Sequence, residues 1–301
     1  MRLEGVLFFP VTPFGAGGGV AEDVLAGHVA GGVAAGAGGV FAACGTGEFN
    51  ALDLAEHRAV VRTAVAAAAG RVPVLAGAGG VPAMARATAR AAAEEGADGL
   101  LVMPPYLVGG PPGGLVRYVR EVTRETGLPA VVYQRGTARF TPAAVAELAQ
   151  LPEVIGFKDG VGDFDLLQRI ILTVRGSTGR PFTFFNGLPT AELTVPAYRG
   201  IGVRLYSSAV FAFAPEIALA FHDAVTAGDE ERSRRLLTSF YLPLVELRDL
   251  VPGYAVSLVK AGVRLRGTDV GGVRAPLVDP SPEHVARLEK ILAAGLEVAG
   301  A

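Results

Sequence analysis

Cysteine and lysine are both scarce in this chain of 301 residues. Cys44 is the only cysteine, which excludes an intrachain disulfide, and nothing in the sequence points to an oxidising compartment. Of the 27 lysine and arginine residues only three are lysines: Lys158, Lys260 and Lys290. Since arginine supplies almost all the other positive charge, each retained lysine is a candidate for a role that arginine cannot fill.

The chain also lacks a long apolar run and a strong net charge. No apolar stretch reaches the roughly 18 residues that a bilayer crossing needs, and Glu4 and Pro10 interrupt the place where a signal peptide would be apolar. A formal net charge of −2 offers no basic surface for a phosphate backbone, while 50% hydrophobic residues exclude a disordered chain. We therefore expect a folded, cytoplasmic protein that binds neither nucleic acid nor membrane.

Two cofactor patterns are weak. The four histidines are far apart and show no ligand-like spacing, and Asp163 and Asp165 are most simply the acidic first turn of a helix. A glycine-rich segment, residues 77–82, resembles a dinucleotide-binding turn but has Pro82 where the third glycine belongs. Neither pattern predicts a metal or nucleotide site.

Short apolar segments alternate with alanine-rich helical stretches from the start of the chain, a pattern typical of βα units around a parallel sheet. The predicted strands are residues 6–11, 39–43, 72–76, 99–103, 130–133, 154–158, 182–186 and 203–206. The predicted intervening helices are residues 21–35, 53–69, 82–95, 114–126, 142–151, 163–174 and 189–198. Eight such strands predict an α/β fold, the TIM (β/α)8 barrel.

Strand signals stop after residue 214, and amphipathic helices are predicted at residues 216–227, 229–250, 255–266 and 282–298. We expect a catalytic barrel over residues 1–224 and a C-terminal helical region over residues 225–301.

Lys158 lies inside an apolar strand-like segment, residues 154–160. An ammonium group desolvated at the end of such a strand has its pKa lowered toward neutrality, and the free amine can attack a carbonyl carbon. The sharper hypothesis is a Schiff-base lysine. The alternative is a lysine that caps the strand and extends its amine into solvent, and the segment alone does not decide between them.

In a parallel barrel the reacting groups lie at the carboxyl ends of the strands, so polar residues at those positions are candidates for a shared site. A glycine-bracketed turn follows the second strand, and its N–H groups and threonine hydroxyl could bind a carboxylate. The candidates are Gly45, Thr46 and Gly47 in that turn, Tyr106 after the fourth strand, Tyr133 and Arg135 at the fifth, Lys158 at the sixth, Asn186 at the seventh, and Ser207 and Ser208 at the eighth.

Three of these segments together resemble a known family over essentially the whole chain. They are Gly45-Thr46-Gly47-Glu48, Tyr133 at the end of a strand, and Gly156-Phe157-Lys158-Asp159. The combination resembles the dihydrodipicolinate synthase and N-acetylneuraminate lyase family of Schiff-base aldolases. Within that family, residues 156–163 and 206–211 are most similar to the 5-dehydro-4-deoxyglucarate dehydratase branch.

The resemblance implies roles for individual residues. Lys158 would form an imine with the ketone of a 2-keto acid, and Tyr133 would relay protons. Thr46 and its turn would bind the carboxylate beside the ketone. For the dehydratase branch the resemblance implies loss of water and carbon dioxide from a keto sugar diacid, giving 2,5-dioxopentanoate, with no metal or organic cofactor. Arg135, Asn186, Ser207 and Ser208 would bind the hydroxyls and the distal carboxylate.

Two positions depart from the synthases of the family. Gly45 stands where they have a second threonine that belongs to their proton relay, so that relay is not intact. Tyr106 matches a tyrosine that a neighbouring subunit contributes, but Pro105 and Leu107 differ around it. Two alternatives stay open: an aldolase of the same family acting on another 2-keto acid, and a sugar-acid-binding barrel without activity.

The family is commonly tetrameric, so the resemblance also implies a homo-oligomer, either a tetramer or a dimer. Four aromatic residues near the C-terminal helices could supply an interface, although interior packing is the better expectation for such side chains. They are Phe211, Phe213, Phe240 and Tyr241. The role of Arg135 is also undecided, since arginine suits both carboxylate recognition and surface ion pairs.

Overall fold

Eight short parallel strands alternate with helices in the structure, a computed structural model that describes residues 1, 3–105 and 108–300. The strands are β1 (Leu7–Phe8), β2 (Gly39–Ala42), β3 (Val74–Ala78), β4 (Gly99–Val102), β5 (Ala130–Gln134), β6 (Val154–Asp159), β7 (Thr183–Asn186) and β8 (Leu205–Ser208). All eight predicted strands are confirmed, with shifted ends.

The helices that follow the strands are α1 (Glu22–Ala34), α2 (Leu54–Ala68), α3 (Pro82–Glu94), α4 (Pro112–Thr123), α5 (Pro142–Leu148), α6 (Phe164–Ser177), α7 (Val195–Gly200) and α8 (Pro215–Ala227). Their starts follow local chemistry. Asp53 and Glu56 form a reciprocal capping box at α2, and the Asp163 carboxylate accepts the Leu166 N–H at α6, as the acidic first turn predicted.

The strands close into a barrel in chain order. Each strand pairs in parallel with its neighbour, and β1 pairs with β8 through Leu7 and Ser207 and through Phe8 and Ser208. The predicted TIM barrel is therefore confirmed. The glycine-rich segment, residues 77–82, comprises the end of β3, a turn and the first residue of α3. A closed barrel has no crevice at a reversal of strand order, which is where a dinucleotide binds in an open sheet.

Alternate strand residues point inward and fill the barrel with apolar side chains, as a period of two requires. The buried inward set is Leu7, Phe9, Phe41, Cys44, Leu75, Leu101, Val131, Tyr133 and Phe185. The other strand face packs against the surrounding helices in a second, larger core. The site at the top of the barrel thus has an apolar floor.

The C-terminal extension consists of α9 (Glu230–Leu236), a π-helical turn (Leu237–Tyr241), α10 (Leu242–Arg248), α11 (Tyr254–Leu265) and α12 (Pro282–Ala299). One predicted helix over residues 229–250 is therefore interrupted. Pro243 has no N–H to donate to the carbonyl four residues earlier, which explains the break. The predicted helix at residues 189–198 is likewise a 3-10 turn (Ala191–Thr194) followed by α7, because Pro196 lacks a donor.

Buried side chains of the extension belong to the same core as the barrel helices. Phe211, Phe213, Phe240 and Tyr241 are each at most 3% exposed, which confirms interior packing for these aromatic residues. The predicted boundary between a catalytic barrel over residues 1–224 and a C-terminal helical region over residues 225–301 stays a prediction. Among the described residues no helix is both long enough and apolar enough to span a bilayer.

Phe240 offers a test of this shared core. Its ring is fully buried, with its centroid 5.0 Å from that of Tyr241 and 6.4 Å from that of Phe213. We expect Phe240→Ala to lower the free energy of unfolding by about 3–5 kcal/mol, because it leaves a cavity. The control Leu242→Ala removes a side chain that is 45% exposed and should change it by only about 0.5 kcal/mol. Urea denaturation followed by circular dichroism measures both, and separate unfolding of the extension would contradict a shared core.

Candidate active site

A cavity of about 1040 Å³ opens at the carboxyl ends of the strands. Six predicted site residues line it: Gly45, Thr46, Tyr133, Arg135, Lys158 and Ser207. The C-terminal extension contributes to the same wall through Tyr254, Arg274 and Leu277, among others. The top of the barrel and the extension therefore enclose one site.

Lys158 extends its amine into this cavity from the end of β6, and only 4% of the residue is exposed. Its Nζ lies 4.1 Å from the ring centroid of Phe9, 4.5 Å from that of Tyr133 and 6.0 Å from that of Phe185. No carboxylate within the described part of the chain pairs with it. Burial lowers the pKa of Lys158 to about 7, so a large fraction of the amine is neutral and nucleophilic near neutral pH.

The charge on Arg135 lowers the pKa of Lys158 further, after burial. Cys44, also in the barrel interior, does not supply a compensating negative charge at neutral pH. Burial raises the pKa of its thiol to about 12, so it remains a neutral thiol.

Tyr133 is the strand neighbour of Lys158, since these two residues are paired in the register of β5 and β6. Its hydroxyl donates to the Gly187 carbonyl at 2.9 Å and accepts from the Arg135 guanidinium at 3.2 Å. Burial raises the pKa of Tyr133, and Arg135 opposes that shift. The phenol is therefore protonated at neutral pH, and the guanidinium beside it would stabilise a transient phenolate.

Two glycines make room for this lysine–tyrosine pair. A Cβ on Gly187 would lie 2.5 Å from Lys158 Cε and 2.9 Å from Tyr133 Cε2. One on Gly160 would lie 2.8 Å from Tyr133 Cε2. Real side chains do not approach so closely, so both positions need glycine to keep the amine and the phenol where they are.

Gly45 and Thr46 of the turn after β2 line the cavity, whereas Gly47 is buried and does not. The N–H groups of all three have no acceptor among the residues that the structure describes. Ala43 and Glu48 bracket the turn in left-handed conformations with φ of +48° and +55°, which is costly for residues other than glycine. Such a run of unpaired N–H groups forms a concave anion-binding site.

Arg135 stands exposed at the cavity mouth, where it lies beside the Tyr133 hydroxyl. It has no carboxylate partner within the described residues. The surface ion pair that the sequence left open is therefore not formed, and the remaining guanidinium donors are available to a ligand.

Asn186 and Ser208 do not line the cavity, so the structure does not bring them together with the other predicted site residues. Both are fully buried. The Asn186 amide donates to the Ala191 carbonyl and to Thr194 Oγ1 at 3.0 and 2.7 Å, so it organises the loop after β7. The Ser208 hydroxyl donates to Glu192 at 2.5 Å. Their hydrogen bonds are already used, whereas Ser207 reaches the cavity. Tyr106 lies outside the described residues.

The structure adds a residue that the sequence did not single out for a role. The Asp159 carboxylate, which follows Lys158, accepts from Gln134, Val161 and Gly162 at 3.1, 3.0 and 3.2 Å and from the Tyr198 hydroxyl at 2.5 Å. These bonds brace the end of β6 and thereby the lysine backbone. The sequence contains no pattern that indicates the direction of these two neighbouring side chains, whereas in the structure Lys158 points into the cavity and Asp159 points away from it.

Comparison with known proteins agrees with this geometry. The sequence profile of the Dihydrodipicolinate synthetase family matches residues 2–295. The chain belongs to this family. The family membership that the sequence predicted is thereby confirmed.

Two relatives within the family come from Streptomyces. The chain is 59% identical over 293 residues to "Probable 5-dehydro-4-deoxyglucarate dehydratase 1" of Streptomyces coelicolor, covering 97% of this chain and 93% of the relative. It is also 59% identical over 296 residues to "Probable 5-dehydro-4-deoxyglucarate dehydratase" of Streptomyces griseus, covering 97% and 92%.

Solved structures of family members share the fold. Dihydrodipicolinate synthase from Oceanobacillus iheyensis superposes with a TM-score of 0.87 at 24% identity, over 96% of this chain and 95% of that one. YagE from E. coli K12, a family member in complex with pyruvate, superposes with a TM-score of 0.84 at 27% identity, over 96% and 97%.

Gly187→Ala tests the packing of the lysine–tyrosine pair. The added methyl would displace Lys158 and Tyr133, so we expect a loss of imine formation of about a hundredfold or more, since an error of about 1 Å in a reacting group costs that much. The matched control is Gly176→Ala in α6, where a Cβ meets nothing within 4 Å. Rates of borohydride trapping with pyruvate measure both variants. Equal rates for the two would contradict the close packing.

The lowered pKa of Lys158 predicts a pH profile. Only the neutral amine reacts, so its acetylation rate should rise through a pH of about 7 and level off above it. Acetic anhydride labelling at several pH values, followed by peptide mass spectrometry, measures the rate, with exposed Lys290 as the internal reference. A midpoint near the ordinary lysine pKa of about 10.4 would show that the amine is not desolvated.

Proposed function

We propose that this chain is a decarboxylating dehydratase that converts 5-dehydro-4-deoxyglucarate into 2,5-dioxopentanoate, water and carbon dioxide through an imine on Lys158. The observation that carries the proposal is the amine of Lys158, whose pKa is about 7, in one cavity with a protonated phenol and an unpaired N–H turn. The Streptomyces relatives, 59% identical over nearly the full length, carry the dehydratase name. The pyruvate complex of YagE supports a 2-keto acid as ligand.

Imine formation uses the residues of the cavity in successive steps. The Lys158 amine attacks the ketone carbon, and the carbinolamine loses its hydroxyl as water when Tyr133 supplies the proton. The Thr46 turn binds the carboxylate beside the ketone through its N–H groups, which orients the ketone for attack. Arg135 stabilises the transient phenolate until the proton is recovered.

The imine is an electron sink for the later steps. Loss of the C4 proton gives an enamine, and expulsion of the C3 hydroxyl as water follows. The carboxylate next to the imine carbon then leaves as carbon dioxide, and a proton takes its place on that carbon. Transfer of the C2 proton to C4 gives an enol, and transfer of the C2 hydroxyl proton to C3 converts that enol into the 2-ketone. Hydrolysis of the remaining imine frees the amine and the product aldehyde. The water consumed in hydrolysis equals the water released on imine formation, so the net products are one 2,5-dioxopentanoate, one water and one carbon dioxide.

Substrate contacts beyond the imine follow from the revised site. We assign Thr46, Gly45 and Gly47 to the carboxylate beside the ketone, Ser207 to a hydroxyl, and Arg135 to the distal carboxylate, because a guanidinium fork matches a carboxylate. Gly45 leaves open space, since a Cβ there would meet nothing within 4 Å. Cytoplasmic location and assembly into a dimer or tetramer remain predictions.

Turnover of 5-dehydro-4-deoxyglucarate tests the proposal. We expect the purified chain to release carbon dioxide and 2,5-dioxopentanoate in equal amounts. Lys158→Ala should lower kcat by about a thousandfold or more, because it removes the nucleophile. The surface variant Lys290→Ala is the control and should keep full activity. Borohydride added during turnover should leave an adduct on Lys158 that peptide mass spectrometry detects.

Other outcomes would contradict the dehydratase assignment. Release of pyruvate would identify an aldolase. Ligand-dependent thermal stabilisation with no product and no adduct would identify a binding protein.

A further inference from the structure

A buried ion pair joins the C-terminal extension to the end of the turn that contains Thr46. Lys260 Nζ of α11 lies 2.7 Å from Glu48 Oε1, and the two side chains are 0% and 1% exposed. The same ammonium donates to the Gly272 carbonyl at 2.6 Å and lies 4.0 Å from the ring centroid of Phe14. A charged pair so completely removed from water is costly, and the attraction between the two charges at 2.7 Å offsets part of that cost.

Glu48 is more than a partner for Lys260, because its backbone closes the turn. It adopts the left-handed conformation at φ +55°, and its N–H donates to the Gly45 carbonyl at 3.1 Å. A residue other than glycine stays in this conformation only when its surroundings hold it there. The contacts that the Glu48 carboxylate makes with the extension therefore help to hold this backbone conformation.

The second carboxylate oxygen of Glu48 is bound by the same extension. Glu48 Oε2 accepts the Arg274 backbone N–H at 2.9 Å. The Arg274 guanidinium then donates to the Ala51 carbonyl at 2.6 Å, pairs with Glu56 and lies 3.9 Å from the Phe14 ring centroid. The C-terminal side of the Thr46 turn, at Glu48 and Ala51, is thus tied to Lys260 and Arg274.

We propose that Lys260 is a positioning residue for the reaction: through Glu48 it holds the Thr46 turn in the shape that binds the carboxylate of a 2-keto acid. The extension thereby completes the active site rather than only packing beside it. This inference rests on the proposed function, since it concerns the same carboxylate. Among the described residues Lys260 contacts the turn only through Glu48, and it does not line the cavity.

The physical consequence of removing Lys260 is specific. The buried Glu48 carboxylate would lose the Lys260 ammonium as a partner, which is energetically costly. The left-handed backbone of Glu48 would then relax, because this change lets the carboxylate find other partners. The backbone of Gly45 and Thr46 at the cavity would then shift, while Lys158 on β6 and Tyr133 on β5 would keep their positions. Carboxylate binding should weaken and the chemistry at the amine should persist.

The experiment measures reductive trapping of pyruvate on Lys158, which needs imine formation but no dehydration. In Lys260→Met the pyruvate concentration for half-maximal trapping should rise about tenfold, whereas the rate at saturation and its pH midpoint should stay near those of the unchanged chain. Glu48→Gln, which keeps the side-chain shape and the bond to the Arg274 N–H, should show the same direction of change. It is the second variant if Lys260→Met does not fold.

A matched control breaks an exposed ion pair. Arg169→Met removes the partner of Asp165, a pair with side chains 68% and 73% exposed, and should leave half-saturation unchanged. Combining Glu48→Gln with Lys260→Met should give an effect no larger than Lys260→Met alone, because both act through one contact.

Two results would overturn the proposal, and they are distinguishable. If folded Lys260→Met keeps the same pyruvate concentration for half-maximal trapping, or if only its rate at saturation falls, Lys260 has a structural role and no positioning role. The proposed function would remain intact in that case. Failure of the unchanged chain to trap pyruvate would instead remove the imine chemistry, and the positioning role with it.

Discussion

The desolvation of one ammonium group is the constraint on which the site depends. Lys158 can act as a nucleophile only if its charged form is disfavoured, and the barrel achieves this by surrounding Nζ with aromatic faces and no carboxylate within the described residues. The apolar floor, the neutral thiol of Cys44 and the glycines that let Tyr133 approach all serve that condition. A polar barrel interior would keep the amine charged and inactive.

Lys260 shows the opposite outcome for the same residue type. It is more completely buried than Lys158, and burial lowers the pKa of Lys260 as well, but the Glu48 carboxylate at 2.7 Å opposes that shift. One lysine is isolated from acids and suited to attack a ketone, whereas the other is paired and suited to fix a backbone. A carboxylate partner, present for Lys260 and absent for Lys158 among the described residues, separates the two lysines.

Much of the site could be predicted from the sequence, because residues at the carboxyl ends of barrel strands must meet at one face. Lys158, Tyr133, Thr46 and Arg135 all line the cavity for this reason. Asn186 and Ser208 occupy equivalent strand ends but lie behind the wall. The position of a residue at a strand end does not tell which way its side chain points. The hydrogen bonds of Asn186 to the Ala191 carbonyl and of Ser208 to Glu192 determine the direction here.

The sequence by itself determined the alternation of eight strands and helices, and with it the barrel, because the period of apolar residues and the proline and glycine breaks are local properties. It also determined that a lysine follows an apolar strand. Only the tertiary structure decided that Gly187 clears the space for that lysine, and that Lys260 reaches Glu48 from the far end of the chain. Those contacts join residues distant in sequence, and no local pattern encodes which distant groups the closure of the barrel brings together.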